Sequence, residues 1–464
     1  MSSPDEPLDD AIFRPPRIRT LSRFTKRRLL MGCIALSIIA ILVLLSRPPV
    51  RRRNTSRKLG HPDFNIQLPL RIPEGEQNWE TRNRESLQAL ADCLPSNTCK
   101  ENQTSIVLLA SVHFPNILQG KVSGEDIWAA SVRNALAGLG YTFFYFRNLE
   151  SAAVQYRMFP NLVKVVLADG RDINGCITNP ACIKSESNPV GVPIWKIFTF
   201  HFWDGEQHPL GRPWTLSPED YRTGNQYIGY SLEEACNQLD FVAHEQRRDQ
   251  VYILAKRRSY FHRKSYPWTS DALVRIRNET RIALIAGFIN DRAADSNPMG
   301  VTNLGKLNKT EFLDEISHSR ALLGILKPWL SPSPYDALCL GVPFINPIVR
   351  WNRTNPMDRS AWYTQHNGLK WIEEPYVYHV FKGDTDGLVR AVQSTADNPI
   401  NRFIPPAMTE RALADRVSYL VEHDWRTDAE VILTGMYESD DDSELRQTAS
   451  DPERQTEEGV FLFL

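Results

Sequence analysis

The sequence has almost no net charge, because its 54 lysine and arginine residues are offset by 55 aspartate and glutamate residues, giving −1 at pH 7. This balance gives no indication of nucleic acid as a partner, and we expect none. The metal-binding pattern H-E-x-x-H and the Walker phosphate-binding sequence are absent, and the ten histidines show no metal-ligand spacing. We therefore expect no obligatory metal and no bound cofactor.

An Asp-x-Asp triplet is another way to hold a metal beside a diphosphate, and one occurs at Asp384-Thr385-Asp386. It lies just before a helical pattern, which predicts a turn in which Asp386 is the helix N-cap. A metal-dependent site at Asp384 and Asp386 is kept as an alternative.

Long hydrophobic runs are scarce, and the one that stands out covers residues 29–46, eighteen residues without a charge. As a helix it would extend about 27 Å, close to the thickness of a bilayer hydrocarbon core. Basic residues flank both ends, and no small-x-small cleavage site follows. We predict a cytosolic tail at 1–28 and an uncleaved transmembrane anchor at 29–46.

Cysteine is also scarce, with seven residues, but its spacing is informative. Cys93/Cys99 and Cys176/Cys182 would each close a short loop, as suits an oxidising compartment, whereas Cys236 and Cys339 either pair or stay buried. Asn-x-Ser/Thr glycosylation triplets lie after the anchor at Asn54, Asn102, Asn278, Asn308 and Asn352. We therefore predict a single-pass type II membrane protein of the secretory pathway with a large lumenal part, and we expect it in the Golgi membrane.

The chain after the anchor divides by composition. Residues 47–103 are polar and rich in proline, with one helical pattern from Asn78 to Leu94, and we predict that they form a stem. Near the C-terminus a long helical pattern at 407–425 precedes an acidic stretch, and residues 424–464 are predicted to be a disordered tail.

Between stem and tail, short apolar runs alternate with helical patterns, as in a parallel sheet covered on both faces. We predict an α/β fold with two Rossmann-like domains, residues 104–240 and 241–423, facing a cleft. The predicted strands lie at 105–112, 141–147, 163–170, 192–203, 226–232, 250–256, 281–289, 321–326 and 342–347.

The stretch 321–347 predicts a ligand site. An apolar strand is followed by a proline-rich loop and by a short helix with Pro334 in its first turn and Gly341 after its last. Ligands of doubly wound sheets bind beyond the carboxyl ends of the strands, so Asp336 would face the cleft, where it can accept hydrogen bonds from a ribose. An equal alternative is that Asp336 only caps its helix.

The stretches 123–143, 226–236, 251–261 and 303–347 together resemble glycosyltransferase family 18, the α-1,6-mannosylglycoprotein 6-β-N-acetylglucosaminyltransferases. That family has a proline-rich loop, a helix beginning P-L-E-A, and a strand ending F-L-N-P, where this chain has Pro334-Tyr335-Asp336-Ala337 and Phe344-Ile345-Asn346-Pro347. The resemblance covers about residues 105–423 and implies a GT-B fold.

The resemblance also implies roles for individual residues. Glu125 matches the catalytic base, Asp336 matches a donor-binding acid that is one methylene longer in the family, and Lys256 matches a lysine near the donor. A second family lysine has no secure counterpart, and Lys370 and His366 are the candidates. Ser333, Pro334 and Tyr335 complete the predicted nucleotide-sugar site.

The implied activity is inverting transfer of N-acetylglucosamine from UDP-GlcNAc to a mannose-containing N-glycan through a β1,6 linkage. Such a reaction needs a carboxylate that takes the proton of the acceptor hydroxyl, and cations that hold the departing diphosphate. A helix acid near the N-terminus is an equally ordinary explanation of Glu125. The alternative functions are a non-catalytic, membrane-tethered glycan-binding protein of the same fold, and a metal-dependent transferase with another donor.

Overall fold

The computed structural model describes residues 79–434, except residue 122 and residues 292–295. The predicted cytosolic tail, transmembrane anchor and stem up to residue 78 lie outside the described residues, as does the predicted tail from residue 435. Within the described range, no helix has both the length and the apolar character needed to cross a bilayer.

The first sheet has six parallel strands in the order β2-β1-β3-β4-β5-β6. Its central strands are buried on both faces, as their continuous apolar runs predict, and Leu108 of the first strand lies opposite Phe144 and Val166. The strands are β1 (Ile106–Ala110), β2 (Thr142–Phe146), β3 (Val163–Asp169), β4 (Ile197–Phe200), β5 (Thr215–Ser217) and β6 (Gln226–Tyr227).

Six helices belong to this half of the chain: α1 (Trp79–Cys93), α2 (His113–Ile117), α3 (Gly124–Gly138), α4 (Leu149–Tyr156), α5 (Asp172–Thr178) and α6 (Glu233–Asn237). Helix α1 confirms the helix predicted near the end of the stem. Its Asn83 side chain exchanges two hydrogen bonds with the backbone of Tyr145, at 2.9 and 2.8 Å, so this part of the stem packs against the first sheet.

The second sheet has seven strands in the order β12-β11-β10-β7-β8-β9, with β13 paired to β11. All its pairings are parallel except that of β11 with β12. The strands are β7 (Gln250–Ile253), β8 (Ala283–Ala286), β9 (Val301–Asn303), β10 (Ala321–Leu323), β11 (Phe344–Arg350), β12 (Tyr363–Thr364) and β13 (Val377–Phe381).

The remaining helices are α7 (Ser270–Thr280), α8 (Lys309–Ser317), α9 (Ser333–Cys339), α10 (Thr385–Asp397) and α11 (Glu410–Glu422). Helix α9 contains the predicted Pro334 in its first turn and ends before Gly341, whose φ of 72° is left-handed. A Cβ on Gly341 would approach the Phe241 ring to 2.6 Å, so glycine is required there both by conformation and by space.

The C-terminal segment differs from the prediction. The sequence places its long helix in the second domain, but α11 packs on α3 and β3 of the first sheet, and Arg416 donates a 2.8 Å hydrogen bond to the Ile228 carbonyl. Residues 425–434, predicted to be disordered, are helical, and Trp425 packs edge-on against the buried Phe198. Burial of apolar side chains, including Ala429 and Leu433, keeps this segment ordered.

Three disulfide bonds form within the described residues. Cys93–Cys99 and Cys176–Cys182 confirm the two predicted short loops. Cys236–Cys339 settles the pairing that the sequence left open and joins two residues separated by 103 positions. This bond connects α6, which follows the first sheet, to the end of α9 in the second half of the chain.

Candidate active site

Charged and imidazole side chains gather at the carboxyl ends of the first-sheet strands, where the topology of a parallel sheet places ligands. They come from the segment after β1, from the first turn of α3, from the end of β3 and from the residue after β4. They are His113, Glu125, Asp126, Asp169, Arg171 and His201.

Glu125 is half-buried in the first turn of α3. Among the described residues, no hydrogen bond engages its carboxylate. Arg171 lies within electrostatic reach: its pKa is raised mainly by its hydrogen bond to Asp169, with a smaller contribution from the charge of Glu125. The predicted base is therefore an unengaged carboxylate beside a fixed guanidinium, a placement that would suit a proton acceptor.

The neighbouring Asp126 takes part in the capping of α3. Its carboxylate accepts a 2.8 Å hydrogen bond from the Ser123 backbone N–H, while the Ser123 hydroxyl accepts one from the Asp126 N–H. His113 Nδ1 lies 2.8 Å from the other Asp126 oxygen. Although burial opposes ionisation, the hydrogen bonds from His113 and Ser123 lower the pKa of Asp126 to about 2.

The His113–Asp126 pair was missed in the sequence, although the Ser123-x-x-Asp126 spacing is a capping-box signal. A buried carboxylate that holds an imidazole fixes the ring orientation. His113 is thus a second oriented polar group at this edge of the first sheet.

At the second sheet, the Asp336 carboxylate is paired with the ammonium group of Lys309, a residue that the sequence did not nominate. Asp336 is 8% exposed, and its pKa is raised by burial despite the opposing effect of Lys309. Lys309 bonds to the Oδ2 atom of Asp336, and no partner of Oδ1 is found in the part of the chain that the structure describes.

Lys256 lies within electrostatic reach of Lys309, the residue that is paired with Asp336. Although much of the Lys256 side chain is solvent-exposed, partial desolvation by the surrounding protein and the like charge of Lys309 lower the pKa of Lys256. Two ammonium groups close enough to influence each other form a region suited to a polyanion. Lys309 contacts Asp336 directly and influences Lys256 through its charge.

The other predicted donor-site residues have different surroundings. Ser333 exchanges a 3.0 Å hydrogen bond with the Ser331 hydroxyl, and Pro334 is buried in the helix start. Tyr335 is also buried, and its hydroxyl donates a 2.6 Å hydrogen bond to Glu219, so its polar atom is already engaged.

Lys370 is 9% exposed, and its Nζ lies 3.4 Å from the Ser360 carbonyl. Burial lowers its pKa, and so does the nearby Arg222, whose guanidinium stacks 4.1 Å from the centre of the Trp371 ring. His366 is fully buried, and burial lowers its pKa to about 3. A neutral, buried imidazole cannot supply positive charge, so His366 does not replace the second family lysine.

The two acids of the Asp-x-Asp triplet form a helix cap and an ion pair. Asp384, rather than the predicted Asp386, is the N-cap of α10, and its carboxylate accepts a 2.8 Å hydrogen bond from the Gly387 N–H. Asp386 instead forms a 2.7 Å ion pair with Arg275. No group of three or more metal-ligating side chains that could hold a metal ion occurs among the described residues.

Comparison with known proteins identifies the family. The model of glycosyltransferase family 18 matches residues 203–439, just over half of the 464-residue chain. The chain belongs to glycosyltransferase family 18. The match includes the whole second sheet with Lys256, Lys309 and Asp336, whereas Glu125 lies outside it.

Curated relatives match about half of the chain. The human and rat proteins named alpha-1,6-mannosylglycoprotein 6-beta-N-acetylglucosaminyltransferase A are each 20% identical to this chain over 237 residues. The alignment covers 47% of this chain and 30% of each relative. This family member therefore spans only about a third of the length of the curated relatives that it matches.

Two solved structures are also similar. The UDP-GlcNAc 2-epimerase of Methanocaldococcus jannaschii, in complex with UDP-GlcNAc and UDP, is 14% identical, covers 68% of this chain and 99% of its own, and has a TM-score of 0.36. The calicheamicin glycosyltransferase CalG4 is 11% identical, covers 75% and 99%, and has a TM-score of 0.32. At these scores the likeness supports no conclusion about this chain.

Proposed function

We propose that this chain is an inverting glycosyltransferase that moves N-acetylglucosamine from UDP-GlcNAc to a mannose-containing N-glycan, with a β1,6 linkage. The observation that carries the proposal is the family match across the second sheet, which includes Lys256, Lys309 and Asp336. The names of the human and rat relatives support the sugar and the acceptor. In this proposal the two domains have the GT-B arrangement, with donor and acceptor between them.

Glu125 is the proposed base. Its carboxylate takes the proton of the acceptor hydroxyl while that oxygen forms a bond to the anomeric carbon of the donor sugar. The bond between the anomeric carbon and the phosphate oxygen breaks, and its electron pair leaves with UDP. Attack from the face opposite the leaving group inverts the configuration.

Lys256 and Lys309 are proposed to hold the diphosphate. Their charges would offset the negative charge that develops on the leaving group, the role that a divalent metal has in other transferases. Asp336 would accept a hydrogen bond from the ribose through Oδ1, since Lys309 occupies Oδ2. Lys370 is kept as a further donor-site candidate, close to Arg222.

The membrane anchor and the Golgi location are part of the same proposal. Three disulfide bonds within the described residues support an oxidising compartment. Protease protection of the full-length protein in sealed microsomes tests this: a lumenal body is protected until detergent is added. Digestion without detergent would contradict it.

A donor screen on the full-length, detergent-purified protein tests the activity. UDP-GlcNAc, UDP-GalNAc, GDP-fucose and GDP-mannose are offered with a mannose-containing N-glycan, with and without EDTA. We expect transfer from UDP-GlcNAc alone, unaffected by EDTA. Use of a GDP sugar would contradict the proposed donor. Loss of transfer in EDTA would contradict a metal-independent mechanism.

A glycan-binding protein without activity is the second candidate, favoured by the Asp336 carboxylate that Lys309 already occupies. The variant Glu125→Gln separates the two. In an enzyme it abolishes transfer while UDP still binds, whereas a binding protein shows no transfer in either form.

A further inference from the structure

A polar cluster outside the proposed chemistry lies where the two halves of the chain meet. Glu219 follows β5 by two residues, and its backbone carbonyl accepts a 2.8 Å hydrogen bond from the Ser217 hydroxyl, which fixes the turn. Its side chain leaves the first domain and enters the second. Glu219 is only 4% exposed, an unusual state for an acid without a cationic partner.

The Glu219 carboxylate contacts two residues of the second domain, Tyr335 and His366, and one of its own domain, Tyr230. Its Oε2 accepts the 2.6 Å hydrogen bond from Tyr335, and its Oε1 lies 3.5 Å from the Tyr230 hydroxyl and 3.7 Å from His366 Nε2. A Cβ on Gly368 would lie 2.0 Å from the carboxylate, so the backbone at 368 accommodates Glu219 only because the residue is glycine.

Tyr335 is the residue that connects this acid to the site. It immediately precedes Asp336 in α9, and its ring packs perpendicular to those of Tyr230 and His366, at centre distances of 5.9 and 5.0 Å. A ring that is packed on two sides and hydrogen-bonded at its tip fixes the rotation of α9 about its axis. The direction of the Asp336 carboxylate follows from that rotation.

The far end of α9 is held from the first domain by a disulfide bond and from within the second domain by Arg247. Cys339 is bonded to Cys236, and Arg247 donates to the carbonyls of Leu340 and Gly341 at 2.9 and 2.6 Å. These contacts hold the end of α9, whereas the Glu219–Tyr335 hydrogen bond and the Lys309–Asp336 ion pair act nearer its start.

We propose that Glu219 is a positioning residue for the nucleotide-sugar site: through the Tyr335 hydroxyl it orients α9 and thereby Asp336. This rests on the proposed function, since it assumes that Asp336 contacts the nucleotide. The motif of the family has leucine where this chain has Tyr335, so the device belongs to this chain and would let a residue of the acceptor-side domain set the donor site.

The cluster has one group that titrates near neutral pH. Burial, with a smaller effect of Asp220, raises the pKa of Glu219 to about 8 despite the hydrogen bonds of Tyr335 and Tyr230. Burial raises the pKa of both tyrosines well above the usual value, and it lowers that of His366 to about 3. Asp336 acts on Tyr230 only from a distance. Between pH 6 and 9, Glu219 is therefore the member of this cluster that changes charge.

The test compares UDP affinity, by calorimetry on the full-length protein, in wild type, Tyr335→Phe, Glu219→Gln and the control Tyr378→Phe. Tyr378 lies in β13 and is buried like Tyr335. Its hydroxyl donates a 3.3 Å hydrogen bond to the Ser394 carbonyl of α10, away from α9. We expect Tyr335→Phe to weaken UDP binding about tenfold and to raise the donor KM more than it lowers kcat, the effect of losing one buried hydrogen bond.

Glu219→Gln keeps an oxygen that can accept the Tyr335 hydrogen bond, so its UDP affinity at pH 7 should stay within about twofold of wild type. Above pH 8 the wild type should lose UDP affinity, because an ionised Glu219 is an uncompensated buried charge that should disturb the packing of Tyr335 and α9, whereas Glu219→Gln should not. Tyr378→Phe should lower Tm without changing UDP affinity at any pH.

Two results would overturn the inference: a Tyr335→Phe variant that binds UDP as wild type does while its Tm falls, or identical pH profiles for wild type and Glu219→Gln. Absence of UDP binding by the folded wild type would instead overturn the proposed function. Melting curves recorded for each variant confirm that folded protein is compared.

Discussion

Two buried acids of the first domain are held in opposite ways. In the first domain, Asp126 is ionised and receives its hydrogen bonds from Ser123 and His113, which lie within 13 residues along the chain. In the contact between the domains, Glu219 is held by Tyr335, 116 residues away, and burial raises its pKa to about 8. The surroundings of Asp126 are thus built by local structure, whereas those of Glu219 require both domains to be in place.

The largest test of this comparison contrasts two adjacent acids. Glu125→Gln should lower kcat by about 10²- to 10⁴-fold with little change in Tm, because it removes the proposed base. Asp126→Asn should lower Tm and leave kcat within about tenfold, because it removes a helix cap. Kinetics and melting curves for both variants check this; a larger loss of kcat in Asp126→Asn would make the His113–Asp126 pair the catalytic group.

The disulfides test whether the connection between the halves stabilises more than local structure does. Replacing Cys236 and Cys339 by alanine should cost about 4–5 kcal/mol of unfolding free energy, since the loop is 103 residues long. The same change at Cys93 and Cys99, which are six residues apart, should cost about 2 kcal/mol. Denaturant unfolding of the two double variants gives the order; a reversed order would show that the local loop matters more.

The two buried acids predict opposite pH dependences of stability. The pKa of Glu219 is raised from 4.5 to about 8, so its stabilising contribution is complete below pH 4.5 and is lost as the pH rises toward 8. The pKa of Asp126 is lowered from 3.8 to about 2, so its contribution is present above pH 4 and is lost as the pH falls toward 2.

Unfolding of wild type and Glu219→Gln at pH 5, 6, 7 and 8 measures the first of these. As the pH rises, the unfolding free energy of the wild type should fall relative to that of Glu219→Gln. The fall should be at most about 1.4 kcal/mol per pH unit, the value for one proton. Parallel stability curves would mean that Glu219 does not change protonation in this range.

The smallest expected effect concerns Lys309. Lys309→Ala should raise the donor KM about tenfold, because a cation near the diphosphate is lost and Asp336 loses its partner. Lys306→Ala, three residues earlier and also exposed, is the matched control and should leave the donor KM unchanged. Equal values for both variants would remove Lys309 from the donor site.

The sequence predicted those parts of the fold that depend on local chemistry. The glycine after α9, the two six-residue disulfide loops and the apolar central strands all follow from short patterns. Strands β5, β9 and β12 were missed because they have two or three residues and no apolar run, and β13 because its five residues are interrupted by His379.

The candidate site was predictable only in part, for a related reason. Asp336 and Lys256 lie at strand ends or helix starts, where a pattern indicates a site. Lys309 lies in the exposed first turn of another helix, and Glu219 lies in the loop after β5. Both acquire their roles only through contacts with distant parts of the chain, and no local pattern records those contacts.

The return of α11 to the first sheet has a practical consequence. Although a boundary near residue 240 separates the strands of the two sheets, the last described segment crosses back and buries Leu413, Val417 and Trp425 in the core that contains the first sheet. Neither half of the gene, cut at that boundary, would encode a self-sufficient folding unit. The N-terminal fragment would lack part of its own hydrophobic cover, and the C-terminal fragment would carry an orphaned amphipathic helix.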